Sequence, residues 1–405
     1  MKRRRKAAAS ALNRPSVHSY TPFVHLETAD FIRDLYERGN FGGKPIDCMP
    51  MIQRLSLNLS LTLNWGDRIG SLDDHLFDEI TECEEYISRF RSTTGNLQDY
   101  IPILRYSPVN KNSGKAVEMR ARRDVYLRRL NSELQQRIDN GTDRPCIQGN
   151  VLKDPEAKLN QEELISISLT MLSGGLDTIT TTLAWAVALL SQRQDIQEKG
   201  WSEIKKAYGD DVSGIHPSNQ PVLMKEIWTN PGEDARVPYI TAFTREVLRY
   251  YTVLRLALPR STQRDVKYEG MVIPEGATVF LNAWACNMDP DVYKDPHTFS
   301  PERFLENPEL PIFTYGVGTR MCAGYVLGNR ELYIVFLRLI SSFQILQDTK
   351  EGQVNYDPVK GVFDQTSLVS YPERFGSRFV ARDDKKLSAW LAKASIDGNL
   401  VNVSH

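Results

Sequence analysis

Phe313-Thr314-Tyr315-Gly316-Val317-Gly318-Thr319-Arg320-Met321-Cys322-Ala323-Gly324 is the stretch on which the fold of this chain turns. It follows a proline-containing loop and runs directly into an apolar segment, 323–343, with the period of a helix. A thiolate that binds a metal needs backbone N–H groups aimed at its sulfur, and glycines let the backbone come that close. A helix starting just after Cys322 adds the positive end of its dipole, which favours thiolate over thiol. The alternative is a packing cysteine in a glycine turn, the usual fate of a single cysteine. A Phe, two glycines, an arginine, a cysteine and a further glycine at this spacing are too particular a set for that.

Outside the loop the chain gives few competing signals. Cys48, Cys83, Cys146 and Cys286 are scattered without CxxC spacing, so neither a zinc knuckle nor a disulfide framework is indicated, and a reducing compartment is the simpler setting. The 405 residues carry 50 Lys and Arg against 51 Asp and Glu, a net charge of −1, so nothing global calls for nucleic acid. Composition is that of a globular protein, with no internal repeat and no Gly/Ser linker. Residues 1–405 therefore read as a single domain, mainly α with a small β portion.

Helical periodicity covers 72–91, 117–138, 196–208 and 240–251, and strand-like patterns fall at 266–272, 278–281, 367–371 and 379–381. Segment 164–191 is long enough to cross a membrane, with Asp177 its only charge. A lone central aspartate costs about 2.5–3.5 kcal/mol on insertion, so a helix buried in a protein core is expected instead.

Three further groupings lie in a consistent order before the cysteine loop. Glu246 and Arg249 stand at i and i+3, one face of a helix, where a carboxylate and a guanidinium can pair. Pro301-Glu302-Arg303-Phe304 supplies a second arginine downstream. Gly174-Gly175-Leu176-Asp177-Thr178 breaks the apolar helix with small residues and an acid–alcohol pair suited to passing protons.

Together these residues resemble the cytochrome P450 family. The resemblance implies a P450 fold with haem b as cofactor and Cys322 as axial ligand, in a loop formed by Phe313, Gly316, Arg320 and Gly324. It implies propionate contacts from Arg320 and Arg260, a buried Glu246–Arg249–Arg303 cluster, and Asp177 with Thr178 as the proton-delivering pair. Many members have His-Arg where this chain has Asn287-Met288, and often a second Thr or Ser where it has Ile179. Met1-Lys-Arg-Arg-Arg5 is similar to the family's Trp-x-x-x-Arg motif with Met1 in place of tryptophan, so Arg5 is expected on a propionate. That alignment has the chain starting inside the family fold, without its N-terminal anchor, first helices, most of the early sheet and a loop of the pocket wall.

Arg245 to Tyr251, Leu256 to Arg260, Asn282 to Pro290 and Asp364 to Val369 look like fungal phenylacetate hydroxylases. The implied reaction is monooxygenation of a small aromatic acid with O2, electrons passing from NADPH through an NADPH–cytochrome P450 reductase. Endoplasmic reticulum membrane attachment, on the cytosolic side, is expected only through the missing segment. Arg255 is expected to hold the substrate carboxylate, against an outward-facing ion pair, with Leu172, Leu254 and Leu368 lining the pocket or serving as ordinary core. An isomerase or dehydratase on the same fold, and a non-catalytic remnant with impaired haem binding, are the competing functions.

Overall fold

The computed structural model describes residues 12, 14–92, 100–106, 112–153, 160–208, 227–228, 235–348 and 354–403. The main helices are α1 (Thr21–Arg38), α2 (Met49–Trp65), α3 (His75–Phe90), α4 (Asn112–Asp139) and α5 (Gln161–Gln192). They continue as α6 (Gln194–Ala207), α7 (Pro238–Tyr251), α8 (Glu302–Glu306), α9 (Tyr325–Ser342) and α10 (Asp384–Val403). Strands β1 (Ile46–Asp47), β6 (Phe343–Gln347) and β7 (Gly376–Ala381) form one antiparallel sheet in the order β1-β7-β6. Strands β2 (Arg260–Ser261) and β5 (Thr278–Val279) pair alone, as do β3 (Val266–Tyr268) and β4 (Met271–Ile273).

Helix α5 is the axis of the molecule. Asn160 opens it with a capping box, its side chain accepting from the Glu163 N–H at 2.8 Å while the Glu163 carboxylate takes the Asn160 N–H. Residues 183–190 are buried without exception, as a helix enclosed on all sides requires. Trp185 stacks on Tyr251 of α7 at 4.6 Å and donates to the Ser370 carbonyl, tying the axis to the C-terminal part of the chain. No described helix is long and apolar enough to cross a membrane.

The expected helices are present with ends shifted by a few residues. Segment 266–272 proves to be a hairpin: Glu269 and Gly270, at φ 46° and 78°, make a left-handed turn between β3 and β4. Segment 367–371 is no strand. The Asp364 carboxylate accepts from the Thr366 N–H and from the Thr366 and Ser367 hydroxyls, a local turn that displaces ladder pairing.

The N- and C-terminal portions close on each other. The Tyr36 hydroxyl of α1 donates to Asp384 of α10, Arg33 donates to the Leu391 carbonyl at 3.0 Å, and β1 pairs with β7.

Candidate haem-thiolate site

Glu246 and Arg249 lie on one face of α7 and are fully buried. Arg249 grips both oxygens of Glu246 at 2.8 Å, and Arg303 of α8 reaches the same carboxylate at 3.2 Å. Neither arginine stops there. Arg249 donates to the carbonyls of Asn287 and Pro296 at 2.8 and 2.9 Å, and Arg303 to those of Lys294 and Thr298 at 2.7 and 2.8 Å. With the Ser300 N–H on Glu246 at 2.8 Å, the trio satisfies a loop that has no regular structure of its own.

Asn287 is the residue sequence reasoning left without a role. It is fully buried and its side-chain amide donates to the Thr252 and Thr314 hydroxyls at 2.8 and 3.1 Å, while the amide oxygen, Oδ1, accepts the Phe313 N–H at 2.9 Å. The Thr314 hydroxyl in turn donates to the Leu248 carbonyl of α7 at 2.6 Å. Thr252 ends α7 at φ 40°, an unfavourable angle for a β-branched residue, and is held by its own bond to the Arg249 carbonyl and by Asn287. Asn287 thus pins the entrance of the cysteine loop to the Glu246–Arg249 helix. Only its place in the sequence hinted at this.

Beyond that pin the loop doubles back. Gly316 and Gly318 sit at φ 79° and 63°, where a side chain is strained, and the Cys322 N–H bonds to the Tyr315 carbonyl at 2.8 Å. Cys322 is exposed, whereas Cys48, Cys83 and Cys146 are buried. Protein packed around its sulfur pushes the thiol pKa up, and the Gly324 N–H, bonding to the sulfur, pulls it the other way. Helix α9 begins at Tyr325. Arg260 of β2 donates to the Arg320 carbonyl at 3.1 Å, which brings two guanidinium-bearing residues to the same edge of the loop. Arg5 lies outside the described residues.

Helix α5 passes over the start of α9, where a Cβ on Gly328 would meet Ile179 at 3.9 Å. Gly174 is exposed, Thr178 is half-buried, and the Thr178 hydroxyl donates back to the Gly174 carbonyl at 2.7 Å. Gly175 acts through close packing instead. A Cβ there would meet the Ser60 hydroxyl of α2, which would have to turn away. Asp177 is buried on another face of α5, and among the described residues no hydrogen bond joins it to Thr178. Burial and the Glu84 carboxyl push its pKa up to about 7, while Ser88, Arg91 and Tyr371 act in the opposite sense.

Of the remaining expected site residues, Leu172 has no exposed surface and belongs to the main core, and Leu254 and Leu368 are half-buried. Arg255 is half-buried, donates to the Pro358 carbonyl and lies 5.8 Å from the Trp284 ring.

An exposed cysteine with a backbone N–H on its sulfur, a helix starting beside it, and Arg260 and Arg320 at the rim form a donor set that fits haem. Cys322 would take the iron and the arginines the propionates. The Cytochrome P450 sequence profile matches residues 1–369. The chain belongs to the cytochrome P450 family.

Two fungal P450 relatives, both from Emericella nidulans, align over most of it. A 3-hydroxyphenylacetate 6-hydroxylase is 56% identical over 96% of this chain and 72% of its own length. A phenylacetate 2-hydroxylase is 42% identical over 97% of this chain and 74% of its own. Among solved structures, a zebrafish cytochrome P450 with abiraterone is 20% identical, with a TM-score of 0.70 over 94% of this chain and 82% of that one. This P450 is a monooxygenase, a haem- and iron-binding oxidoreductase of a family that uses O2, redox partners and small substrates.

Proposed function

We propose that this P450 hydroxylates the ring of a phenylacetate-type acid, with Cys322 on the haem iron, Arg255 on the substrate carboxylate, and Asp177 with Thr178 supplying protons. The observation that carries the substrate class is the 56% identity to a 3-hydroxyphenylacetate 6-hydroxylase across nearly the whole chain. Arg255 supports it from the chemistry of its surroundings. Burial lowers its pKa, Asp357 pulls the other way, and its Nε is buried without a hydrogen-bond partner. Among the described residues no salt bridge fixes it, so its charge is available to a carboxylate.

When bound, haem supplies oxygen activation by electrons that we assign to NADPH through an NADPH–cytochrome P450 reductase at the endoplasmic reticulum. The polypeptide does the rest. The Glu246–Arg249–Arg303 trio and Asn287 hold the loop that presents Cys322. Arg255 holds the carboxylate of the acid and leaves its ring free to face the haem. Thr178, half-exposed on α5, passes protons whose source is Asp177.

Arg255→Ala tests the reading. Phenylacetate affinity should fall on the order of tenfold or more, because the carboxylate loses a charge-assisted partner, while a neutral aromatic ligand binds as before. Equal affinities of wild type and variant for phenylacetate would remove the carboxylate role. A reduced carbon-monoxide difference spectrum reports Cys322 ligation separately, and NADPH consumption with the reductase and phenylacetate separates hydroxylation from isomerisation.

A further inference from the structure

A second buried acid lies beside Asp177. Glu84 of α3 is 1% exposed and has no basic partner among the described residues. It accepts from the Tyr126 hydroxyl of α4 at 2.7 Å and from the Ser173 hydroxyl of α5 at 2.5 Å. Ser173 stands one helical turn before Asp177, so both project from the same face of α5 towards α3. Asp177 receives a long contact from the Tyr371 hydroxyl at 3.4 Å, and the Ser88 hydroxyl faces it from outside hydrogen-bond geometry.

Two carboxyls in a dry pocket cannot both be ionised without a cation between them. The donors decide which of them keeps the charge. Glu84 has two short hydrogen bonds that reward ionisation, whereas Asp177 has only the weak contacts of Tyr371 and Ser88. Other groups lie around the pair and around its hydrogen-bond donors Tyr126 and Tyr371. Helix α3 brings Cys83, Glu85, Ser88 and Arg91, helix α4 brings Arg123 with Tyr126, and the loop after Val369 brings Tyr371. Arg91 and Arg123 are the cations of this set, and neither forms a hydrogen bond to either carboxyl.

We propose that Glu84 is a positioning residue that, as the charged member of a Glu84–Asp177 carboxyl pair, keeps the proton on Asp177. The idea deepens the reading of Asp177 as proton source and rests on it for its functional meaning. Glu84 stays out of the reaction: its negative charge raises the proton affinity of its neighbour, so that Asp177 is loaded near neutral pH and ready to hand its proton on. The direction in which Asp177 is shifted, with Glu84 next after burial among the causes, agrees with the geometry.

Infrared titration of the holoenzyme, with the Asp177 carboxyl band identified by its loss in Asp177→Asn, gives the midpoint of Asp177 directly. In Glu84→Gln the midpoint should fall by about one pH unit or more, because the like charge is gone while burial is kept. Glu84→Asp keeps the charge and should restore a raised midpoint. Should Glu84→Gln fail to fold, Tyr126→Phe preserves the packing and removes one donor from Glu84. The Asp177 midpoint should then fall again. An unchanged midpoint in the folded variants overturns the proposal. Coupling of NADPH consumption to phenylacetate hydroxylation, followed against pH, separates the two claims. If coupling tracks the midpoint, both stand. If the midpoint moves and coupling does not, the carboxyl pair stands and Asp177 is not the proton source.

Discussion

Burial and the Glu84 carboxyl raise Asp177 from the ordinary 3.8 to about 7, and that shift has a stability sign. Between those values the folded protein keeps a proton that the unfolded chain has released. The contribution to stability is therefore full below pH 3.8 and is lost as pH rises through about 7. Asp177→Asn removes the penalty of burying a charge, so thermal unfolding at pH 8 should show a Tm higher by a few degrees, with no difference at pH 4. Activity should move the opposite way, which sets the functional use of the acid apart from its structural cost. Glu246 illustrates the reverse case: its carboxylate is satisfied by Arg249, Arg303 and the Ser300 N–H. Glu246→Ala leaves the buried Arg249 and the half-buried Arg303 without their counter-charge and should cost about 3–5 kcal/mol in chemical denaturation, with release of haem as the visible sign.

At the scale of elements, α2 and α5 come closest to a clash where Gly175 faces Ser60. A Cβ on Gly175 would stand 2.4 Å from Ser60 Oγ. Gly175→Ala should therefore destabilise the wild type yet stabilise a Ser60→Ala background, where helix propensity is worth up to about 1 kcal/mol. Denaturation of the four proteins in that cycle gives the coupling, and a value of zero would show that Ser60 simply rotates away. Sequence patterning made α5, α7 and α9 legible because their apolar residues repeat at helical spacing around recognisable chemistry. The same patterning says nothing useful about α2, whose Leu55, Leu57, Leu59, Leu61 and Leu63 alternate as a strand would. All five are buried, and so are the polar residues between them, because α2 is enclosed on every side and no face needs to be apolar alone. Asn58 and Asn64 survive there by bonding to Glu27, the Ile69 carbonyl and the Ser60 carbonyl. The cysteine loop and the Glu246–Arg249–Arg303 trio were legible as residues. Glu84, Ser173 and Tyr126 were not, because a lone acid, serine or tyrosine in a helix carries no signal until the fold brings it beside Asp177.

Across the whole molecule, stability is unevenly spread. The β2–β5 and β3–β4 pairs have two strands each and expose Val266, Met271, Val272 and Val279, whereas α5, α7 and α9 share the main core. Two-stranded pairs are marginal on their own, so amide hydrogen exchange should be fast in both and slowest in α5 and α9. Equal protection in both regions would mean that the small sheets are held by more than their own pairing. The joining of α1 and β1 to α10 and β7 carries a different consequence, one of timing. Tyr36 and its partner Asp384 are 348 residues apart. A ribosome adding about 5–20 residues per second takes roughly 20–70 s to cover that span. Throughout that interval α2 is already there to cover much of α1, but the part of α1 that meets α10 and β7 emerges without its partner, the kind of surface that holding chaperones bind.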